Sequence, residues 1–592
     1  MCKFADYNEI QRKRMKRILL LSAILLSVFS VTIKAQNDKD HNFTVSKNIE
    51  VFSDIYRYLD MIYVDTLNAD EVIGNGINAM LNSLDPYTEY YPESEVNKLK
   101  KMFTGRYVGI GAMIRYNTAL SRVVIDEPYE GSPAAEAGLK KGDIILSIDD
   151  TTMTDKTVAF VSSHLRGDPG TSFMLKIKRP STGKKMQMRI KRRAITLPYL
   201  PYYGVRPDGI GYINLNSFTD GCAKDVRRAF IDLKHKGAKG LVLDLRGNGG
   251  GSVKEAVQIV NMFVPKDLTI VRTRGKMKRM NTDYKTTVEP IDTVMPIVVL
   301  VNGETASASE ITSGALQDLD RAVVLGTRTY GKGLVQAPVD LPYNGQLKLT
   351  TGKYYIPSNR CIQAINYKHA HGGYTEHVAD SLTHVFYTKA GREVRDGGGI
   401  KPDVEVKPDS LPNIAYYLSV SGLDSTEVML NYEIDYIAKH PTIAPAGEFK
   451  LTDQEYEDFK QQVIKSGFKY DAESSKELDK LKKIAKFEGY YDDAKEEFDA
   501  LEKKFRHNLA TDLDRNKQLI NQIISADIVA AYYFQAGAIE NNLNYDKQMM
   551  EACRIINDRQ EYTKILTPAP KQDAKDKKQE KKDKKQSTKD NR

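Results

Sequence analysis

A buried strand leads directly into a helix in the segment Val301-Asn302-Gly303-Glu304-Thr305-Ala306-Ser307-Ala308-Ser309-Glu310-Ile311, which follows the apolar run Ile297–Val301. A strand that is apolar throughout is typical of a parallel sheet covered on both faces. A serine just beyond it lies at the carboxyl edge, where open α/β sheets bind ligands, and beside the unpaired amides of a helix N-terminus. Ser307 and Glu310 also match the S-x-x-E capping box, which requires no catalysis. Alone, this segment therefore favours a helix cap over a catalytic serine.

The surrounding chain, residues 196–404, alternates strand-like and helix-like segments, which predicts an α/β core with a partly parallel sheet. The predicted strands are Ile210–Leu215, Gly240–Leu245, Ile297–Val301 and Ala322–Gly326, and helices are expected around Ala223–Lys234 and Lys254–Met262.

Two glycine-rich segments of this core have a possible chemical use. In Leu243-Asp244-Leu245-Arg246-Gly247-Asn248-Gly249-Gly250-Gly251 a strand enters a glycine turn, whose exposed N–H groups suit an oxyanion hole. In Gly326-Thr327-Arg328-Thr329-Tyr330-Gly331-Lys332-Gly333-Leu334-Val335-Gln336 a lysine lies between glycines after a buried strand. A plain strand-to-helix connection and a surface lysine in a turn explain these segments equally well when each is considered alone.

Residues 105–193 consist of short apolar strands with many glycines. Between two of these strands, Gly131-Ser132-Pro133-Ala134-Ala135-Glu136-Ala137-Gly138-Leu139-Lys140-Lys141-Gly142-Asp143 predicts a short helix, a glycine stop and a turn into a buried strand. This pattern resembles a PDZ domain. The resemblance implies that the loop Val108, Gly109, Ile110 and Gly111 binds the terminal carboxylate of a peptide through backbone N–H groups, and that the peptide adds as a strand. A glycine-rich hairpin without a ligand is the alternative.

Taken together, in this order and spacing, the three core segments and the PDZ-like region resemble the C-terminal processing (tail-specific) peptidases over residues 45–405. The resemblance implies a serine endopeptidase with an α/β multidomain fold: a helical N-terminal region, a PDZ domain, a crotonase/ClpP-like α/β protease core and an α-helical C-terminal domain. The helical segment beyond residue 405 lies outside the usual peptidase core, so its role is not inherited.

The same resemblance assigns the site residues. It makes Ser307, rather than Ser309, the nucleophile and Lys332 the general base, with Gln336 orienting the lysine. It places the oxyanion hole at the amide of Ala308 and at an amide of Gly249 or Gly250. Thr305 stands where many relatives are expected to have serine, which is a conservative change.

A serine–lysine pair is chemically coherent, because lysine accepts a proton only when neutral and burial lowers a lysine pKa. Two other classes remain to be distinguished from an active endopeptidase. A catalytically silent PDZ scaffold or chaperone predicts loss of Ser307 or Lys332, and both are present. Another serine hydrolase on the same core does not account for the PDZ-like domain.

Arg166 lies in Leu165-Arg166-Gly167-Asp168-Pro169-Gly170-Thr171, which matches the family segment that links PDZ occupancy to the protease site. The resemblance therefore makes it a candidate switch residue, and an ordinary surface arginine is the alternative. We expect peptides or proteins with apolar C-termini as substrates. An adaptor protein and a homodimer through the helical regions are further candidate partners.

No cofactor or metal is expected. His369, His371, His377 and His384 lie in the inserted segment 366–385, which lacks an H-E-x-x-H pattern and is interpreted as a polar insertion, with zinc binding as the alternative. The sequence allows one disulfide among Cys222, Cys361 and Cys553 after export, but it does not select the pair.

The two ends account for the net charge of +9, because residues 1–35 and 571–592 each carry +5. The remainder is close to neutral, which argues against nucleic-acid binding. A basic segment precedes the apolar stretch Ile18–Ile33, which predicts a signal peptide at 1–35 and a periplasmic protein, with a membrane anchor at 18–33 as the alternative. The predicted domains are helical 36–100, PDZ 101–193, protease core 194–404, helical 405–568 and a disordered charged tail 569–592.

Overall fold

A computed structural model describes residues 40–96, 99, 104–364, 379–420, 422–470, 473–505 and 508–568. The predicted signal peptide, the charged tail and three of the four histidines of the insertion lie outside these residues. The described residues form two compact units, one up to Ser83 and one from Leu84 onward. Within the described part, no helix is both long and apolar enough to cross a bilayer.

The first unit contains two helices, α1 (40–62) and α2 (Ala69–Asn82). The side chain of Asn68 caps α2 by accepting from the N–H groups of Asp70 and Glu71. Many apolar side chains of α1 are exposed, including Ile49, Phe52 and Ile55.

The second unit begins with strand β1 (Glu89–Tyr91). The helical pattern predicted up to residue 100 is therefore interrupted here. The chain turns before β1 at Asp85, because its Oδ1 accepts from the N–H groups of Tyr87 and Thr88 at 2.8 Å each. The aromatic residues that follow then pair as an extended strand with a distant segment of the core, described below.

The next domain is a small antiparallel sheet with two helices. Its strands are β2 (Arg106–Gly109), β3 (Ala112–Asn117), β4 (Arg122–Pro128), β5 (Ile144–Ile148), β6 (Thr151–Thr152), β7 (Ser172–Lys178), β8 (Lys185–Lys191) and β9 (Arg193–Thr196). Its helices are α3 (Pro133–Glu136) and α4 (Val158–Leu165). The sheet order is β3-β4-β5-β7-β8, and β2 pairs with β9. This arrangement agrees with the expected PDZ domain.

The α/β core contains a six-stranded sheet of order β10-β11-β12-β15-β16-β21, parallel except for β10. Its strands are β10 (Tyr202–Val205), β11 (Ile210–Asn214), β12 (Gly240–Asp244), β15 (Ile297–Val301), β16 (Val323–Gly326) and β21 (Val404–Glu405). Helices α5 (Cys222–His235), α6 (Val253–Asn261) and α7 (Ala308–Asp318) bury apolar side chains against one face. The short hairpin β19 (Val385–Tyr387) and β20 (Glu393–Arg395) precedes β21.

A second sheet has the order β1-β18-β13-β14, with β17 also paired to β18. It consists of β1, β13 (Thr269–Arg274), β14 (Thr282–Lys285), β17 (Leu334–Asp340) and β18 (Gln346–Tyr355). The pairing of Tyr90 in β1 with Leu347 in β18 joins the start of the second unit to the protease core.

The described residues that follow β21 form helices and the segments that connect them. The helices are α8 (Asn413–Ser419), α9 (Val428–Lys439), α10 (Asp453–Ser466), α11 (Glu473–Glu488), α12 (Lys495–Phe505), α13 (Leu509–Arg515), α14 (Lys517–Asn542), α15 (Lys547–Asn557) and α16 (Arg559–Ile565). Helices α8, α9, α10, α13 and α14 share an apolar cluster of their own.

Helices α15 and α16 do not belong to that cluster. Their buried side chains, such as Met549, Ile555 and Ile556, pack on Val242, Val298 and other residues of the second face of the six-stranded sheet. Helices α15 and α16, the last part of the predicted separate helical domain, thus form the second helical layer of the α/β/α protease core.

Helix α9 also contacts the PDZ domain. Leu430 and Ile434 pack against Val124 and Ile144, and a Cβ added to Gly142 would lie 2.3 Å from Ile434 Cδ1. The helical region therefore packs against both the PDZ domain and the core.

Candidate active site

Ser307 lies between β15 and the first residue of α7, with φ 56° and ψ −115°. A positive φ is uncommon for a residue with a side chain and costs about 1–3 kcal/mol, so the surrounding contacts must hold it. Thr305 supplies one such contact, because its hydroxyl donates to the carbonyl of Leu245 at 2.9 Å. This bond ties the serine segment to the end of β12.

The glycine turn after β12 lies directly against Ser307. A Cβ added to Gly250, which has φ 100°, would lie 2.7 Å from Ser307 Cβ and 2.8 Å from the amide nitrogen of Ala308. Only glycine permits this approach, since real Cβ atoms do not come closer than about 3 Å to such neighbours.

Asn248 is buried and organises the turn. Its Nδ2 donates to the carbonyl of Leu215 at 2.7 Å, and its Oδ1 accepts from the Gly250 N–H at 2.9 Å. The Gly250 amide is therefore already bonded. The amides of Gly249 and Ala308 have no acceptor among the described residues. Of the two glycines proposed for the oxyanion hole, the structure leaves only Gly249 with an available amide.

Ser309, the other serine of the segment, is fully buried and its hydroxyl donates to the carbonyl of Asn248 at 2.9 Å. Ser307 is half-buried. The structure thus separates two serines that local sequence could not separate on physical grounds.

The carboxylate of Glu310 joins the serine segment to the lysine segment. Its Oε2 accepts from the backbone N–H groups of Ser307 and Lys332, both at 2.9 Å. Its Oε1 accepts from the Gly331 N–H at 2.8 Å and from the Thr329 hydroxyl at 2.5 Å. Burial raises the pKa of Glu310 to about 7, and these four donors act in the opposite direction. Sequence reasoning assigned Glu310 only to a helix cap.

Tyr354 reinforces this connection from β18. Its hydroxyl lies within hydrogen-bond distance of the carbonyl oxygens of Ser307 (3.2 Å) and Lys332 (2.5 Å). Together, Glu310 and Tyr354 contact the N–H and the C=O of both residues. We call Glu310 and Tyr354 the brace. The sequence analysis missed Tyr354, since no local pattern marks it.

Lys332 is half-buried, and burial lowers the pKa of its amine to about 8. The nearby charge of Lys348 lowers this pKa further, whereas Glu89, Glu310 and Asp85 raise it. The ring of Tyr87 lies 4.8 Å from Nζ. A lysine with this pKa is neutral in about a tenth of molecules at pH 7 and in half of them near pH 8, so it can act as a general base at a lower pH than an ordinary lysine.

Gln336 lies on β17 beside a bulge between Val335 and Gln336. Its Nε2 donates to the Thr350 hydroxyl at 3.2 Å. Within the described ranges no hydrogen bond joins Gln336 to Lys332 Nζ. The side-chain amide of Gln336 is instead bonded to Thr350, so its role in orienting Lys332 stays a prediction.

The PDZ loop closes on α3. Ile110 is buried and its carbonyl accepts from the Ala134 N–H at 2.9 Å. Gly111 has φ 72°, and a Cβ there would lie 2.5 Å from Ser132 Cβ. Val108 and Gly109 end strand β2, which pairs with β9.

A tyrosine and an arginine cover this loop. Burial raises the pKa of the Tyr107 phenol to about 12, the Gly111 backbone lowers it, and the Arg166 guanidinium lies 5.2 Å from the Tyr107 ring centroid. Arg166 follows the last residue of α4. A Cβ added to Gly109 would lie 3.6 Å from Arg166 Cγ. The candidate switch residue therefore lies beside the candidate carboxylate loop.

Among the residues described, no group of three or more His, Cys, Asp or Glu side chains could hold a metal ion. His384 Nδ1 lies 3.1 Å from Asp396 Oδ2. Cys222, Cys361 and Cys553 are free thiols.

Comparison with known proteins identifies the family. Residues 209–369 match the model for peptidase family S41, residues 124–179 match a PDZ domain, and residues 419–556 match a probable PDZ-protease C-terminal helical domain. The family, the multidomain fold class and serine-type peptidase activity predicted from sequence are thereby confirmed.

Two curated relatives and one solved structure illustrate the similarity. The chain is 34% identical to a carboxy-terminal-processing protease of Bartonella bacilliformis, over 59% of this chain and 80% of the relative. It is 31% identical to the carboxy-terminal processing protease CtpB of Bacillus subtilis, over 56% of this chain and 68% of the relative. The structure of a photosystem II D1 C-terminal processing protease is 27% identical, covering 61% of this chain and 88% of that one, with a TM-score of 0.34. The chain belongs to the carboxy-terminal-processing serine proteases of peptidase family S41.

Proposed function

We propose that this protein is an exported endopeptidase that captures C-terminal tails at its PDZ domain and hydrolyses peptide bonds with Ser307 and Lys332. One observation carries the proposal: Glu310 binds the backbone N–H groups of both residues, and the pKa of Lys332 is lowered to about 8. A silent scaffold has no need for a base with a perturbed pKa next to a strained serine.

The first half of the reaction forms an acyl-enzyme. The neutral amine of Lys332 accepts the proton of the Ser307 hydroxyl while Oγ bonds to the scissile carbonyl carbon. The carbonyl electron pair moves to its oxygen, which the amides of Ala308 and Gly249 stabilise. When the tetrahedral intermediate collapses, the C–N bond breaks, and the leaving amine takes the proton back from Lys332.

The second half repeats this sequence with water. Lys332 accepts a proton from the attacking water, the same amides stabilise the second oxyanion, and Ser307 leaves as the alkoxide that Lys332 reprotonates. Gln336 orients Lys332 in this proposal. Its present bond to Thr350 leaves its carbonyl oxygen available, so this role requires a small movement of the side chain when substrate binds.

Tail recognition belongs to the loop Val108–Gly111 and to the groove between β3 and α4. The carboxylate of a tail accepts from loop N–H groups, and its last apolar side chain enters the groove. The Tyr107 phenol lies near the Gly111 backbone, and the Arg166 guanidinium lies 5.2 Å from that ring, so an arriving carboxylate competes with Tyr107 and attracts Arg166. This competition is the basis for Arg166 as a switch.

The cellular setting follows from the first residues. The basic and apolar segment within residues 1–35 directs export to the periplasm, where substrates with apolar C-termini are bound. An adaptor protein that delivers substrates and a homodimer through the helical regions complete the proposal. The exposed apolar residues of α1, among them Ile49 and Phe52, support the dimer.

The test uses the purified mature protein and an unstructured substrate with an apolar C-terminus. We expect cleavage by the wild type, none by Ser307→Ala, and a covalent adduct between a serine-acylating probe and the wild type only. Glu304→Gln, an exposed substitution in the same segment, is the matched control and should cleave normally. Cleavage by purified Ser307→Ala at the wild-type rate would overturn the assignment.

A further inference from the structure

Arg246 is the point where the C-terminal helices contact the glycine turn. Its Nε donates to Asp244 Oδ1 at 2.9 Å and its Nη2 to Asp244 Oδ2 at 2.5 Å. On the other side, Nη2 forms an ion pair with Asp546 Oδ2 at 2.6 Å and Nη1 donates to Gln548 Oε1 at 2.8 Å. Asp546 and Gln548 lie at the start of α15, some 300 positions further along the chain.

Asp546 uses its two oxygens for two purposes. Oδ1 accepts from the N–H groups of Gln548 and Met549, at 2.9 and 3.0 Å, and so caps α15. Oδ2 is left for Arg246. The helix itself is fixed, because Met549 and its neighbours are buried against the second face of the core sheet. Asp546 is therefore a rigid anchor for the guanidinium.

The anchored residue begins the turn that carries the Gly249 amide. Between them, the Gly247 N–H donates to Asn302 Oδ1 at 3.0 Å, and the Asn248 carbonyl accepts from the Ala306 N–H at 3.0 Å. These bonds connect the turn to the serine segment, and at its entry the Thr305 hydroxyl holds the Leu245 carbonyl. The Arg246 side chain adds the link between the turn and α15. An oxyanion donor is effective only when its position is fixed before the charge develops.

We propose that Asp546 is a positioning residue for peptide hydrolysis: from the C-terminal helical region it holds Arg246, and through Arg246 it fixes the turn that presents the Gly249 amide. The inference rests on the oxyanion role of Gly249 in the proposed function. By this inference the helical region, which lies outside the usual peptidase core, helps to position an amide of the active site.

The test separates the two uses of Asp546. Asp546→Asn and Asp546→Ser keep a residue that caps helices well but remove the charge that pairs with Arg246. Asp558 supplies the matched control, since it caps α16 in the same way, accepting from the N–H groups of Gln560 (3.1 Å) and Glu561 (3.0 Å). Asp558→Asn makes the same chemical change at a cap that lies outside the glycine turn.

We expect both Asp546 variants to lose about 10- to 100-fold in kcat, the range found when outer partners of a site are removed. KM, and the pH at which activity is half-maximal, should stay unchanged, because neither the tail site nor Lys332 is altered. Asp546→Glu should recover part of the loss, and Asp558→Asn should resemble the wild type. Gln548→Leu, which removes the second helix partner of Arg246, should lower kcat in the same direction.

Active-site titration with a serine-acylating probe corrects each kcat for the fraction of folded enzyme. The inference is overturned if the corrected kcat of Asp546→Asn and Asp546→Ser equals that of Asp558→Asn, or if the whole loss lies in the titrated fraction. If the Asp546 variants do not fold, the corrected kcat of Gln548→Leu decides instead. A value equal to that of Asp558→Asn would overturn the inference. If Ser307→Ala still cleaves, the proposed function itself fails. If Ser307→Ala is inactive and the Asp546 variants are normal, only this inference fails.

Discussion

Replacing Glu310 by glutamine tests whether the brace sets the geometry of the Ser307–Lys332 pair. The carboxylate accepts from three backbone N–H groups, those of Ser307, Gly331 and Lys332, and from the Thr329 hydroxyl. The glutamine amide keeps one accepting oxygen and replaces the other by an NH₂ group. The Thr329 hydroxyl can rotate to accept from that NH₂ group, but a backbone N–H cannot. At least one buried N–H therefore loses its acceptor.

The loss in free energy of unfolding depends on how many buried N–H groups are left without an acceptor. One buried donor left without a partner costs about 1–3 kcal/mol, so Glu310→Gln should lower the free energy of unfolding by about that amount. Glu310→Ala orphans all three N–H groups, which costs about 3–9 kcal/mol, comparable with the whole stability of a typical domain. We therefore expect the glutamine variant to fold and the alanine variant to be largely unfolded.

The effect on catalysis depends on pH. Loosening the brace displaces the nucleophile relative to the base, and a displacement of about 1 Å costs about 100-fold in rate. In the wild type, Glu310 itself accepts a proton as the pH falls through about 7, and the neutral carboxyl then offers one accepting oxygen fewer. The ratio of wild-type to variant kcat/KM should therefore be largest above pH 7 and should shrink below it.

The assay is kcat and KM on an unstructured substrate with an apolar tail, together with urea unfolding. Glu304→Gln serves as the control, because that glutamate is exposed beside the same serine. Two results would refute the reasoning: wild-type kcat/KM in Glu310→Gln at every pH, or a loss that is the same above and below pH 7. The second result would mean that ionisation of Glu310 does not control the geometry of the pair.

Four further predictions concern the base, the tail site and Arg166. Lys332→Met should abolish hydrolysis without lowering the free energy of unfolding at neutral pH, because it removes a half-buried amine; lower stability in a urea titration would contradict this. Wild-type kcat/KM should rise with pH through a midpoint near 8, because only the neutral amine accepts the serine proton, and a flat profile would exclude Lys332 as the base. A substrate whose C-terminus is an amide should be cleaved more slowly than its acid form, since the amide carries no charge for the Val108–Gly111 loop; equal rates would exclude carboxylate capture. Arg166→Ala should impair cleavage of tailed substrates while Ser307 still reacts with a small acylating probe, and unchanged cleavage would reduce the PDZ domain to a tether.

Much of the core could be predicted because its signals are local. The apolar run Ile297–Val301 forms β15, and the capping-box spacing marks the start of α7. The helix predicted at Ala223–Lys234 is Cys222–His235. These features depend on periodicity and on residues within one or two turns, which a sequence states directly.

The brace and the second sheet could not be predicted because they depend on long-range pairing. Glu310 binds residues 19 to 22 positions further along the chain, and Glu89 pairs with Lys348 in the β1–β18 register. The helical period of α15 indicates an apolar face but not what covers it. Only the fold shows that this face covers the core sheet and that Asp546 thereby reaches Arg246.

The lowered pKa of Lys332 is likewise a product of distant segments. The ring of Tyr87, 4.8 Å from Nζ, attracts the charged form, but such contacts contribute only about 0.5–2 kcal/mol. The charge of Lys348 also lowers this pKa, and that of Glu89, its ion-pair partner, raises it. Burial can lower a lysine pKa by up to 3–5 units, so it outweighs both. The residues 85–89 beside the amine therefore act mainly by excluding water, and burial lowers the pKa of Lys332 to about 8.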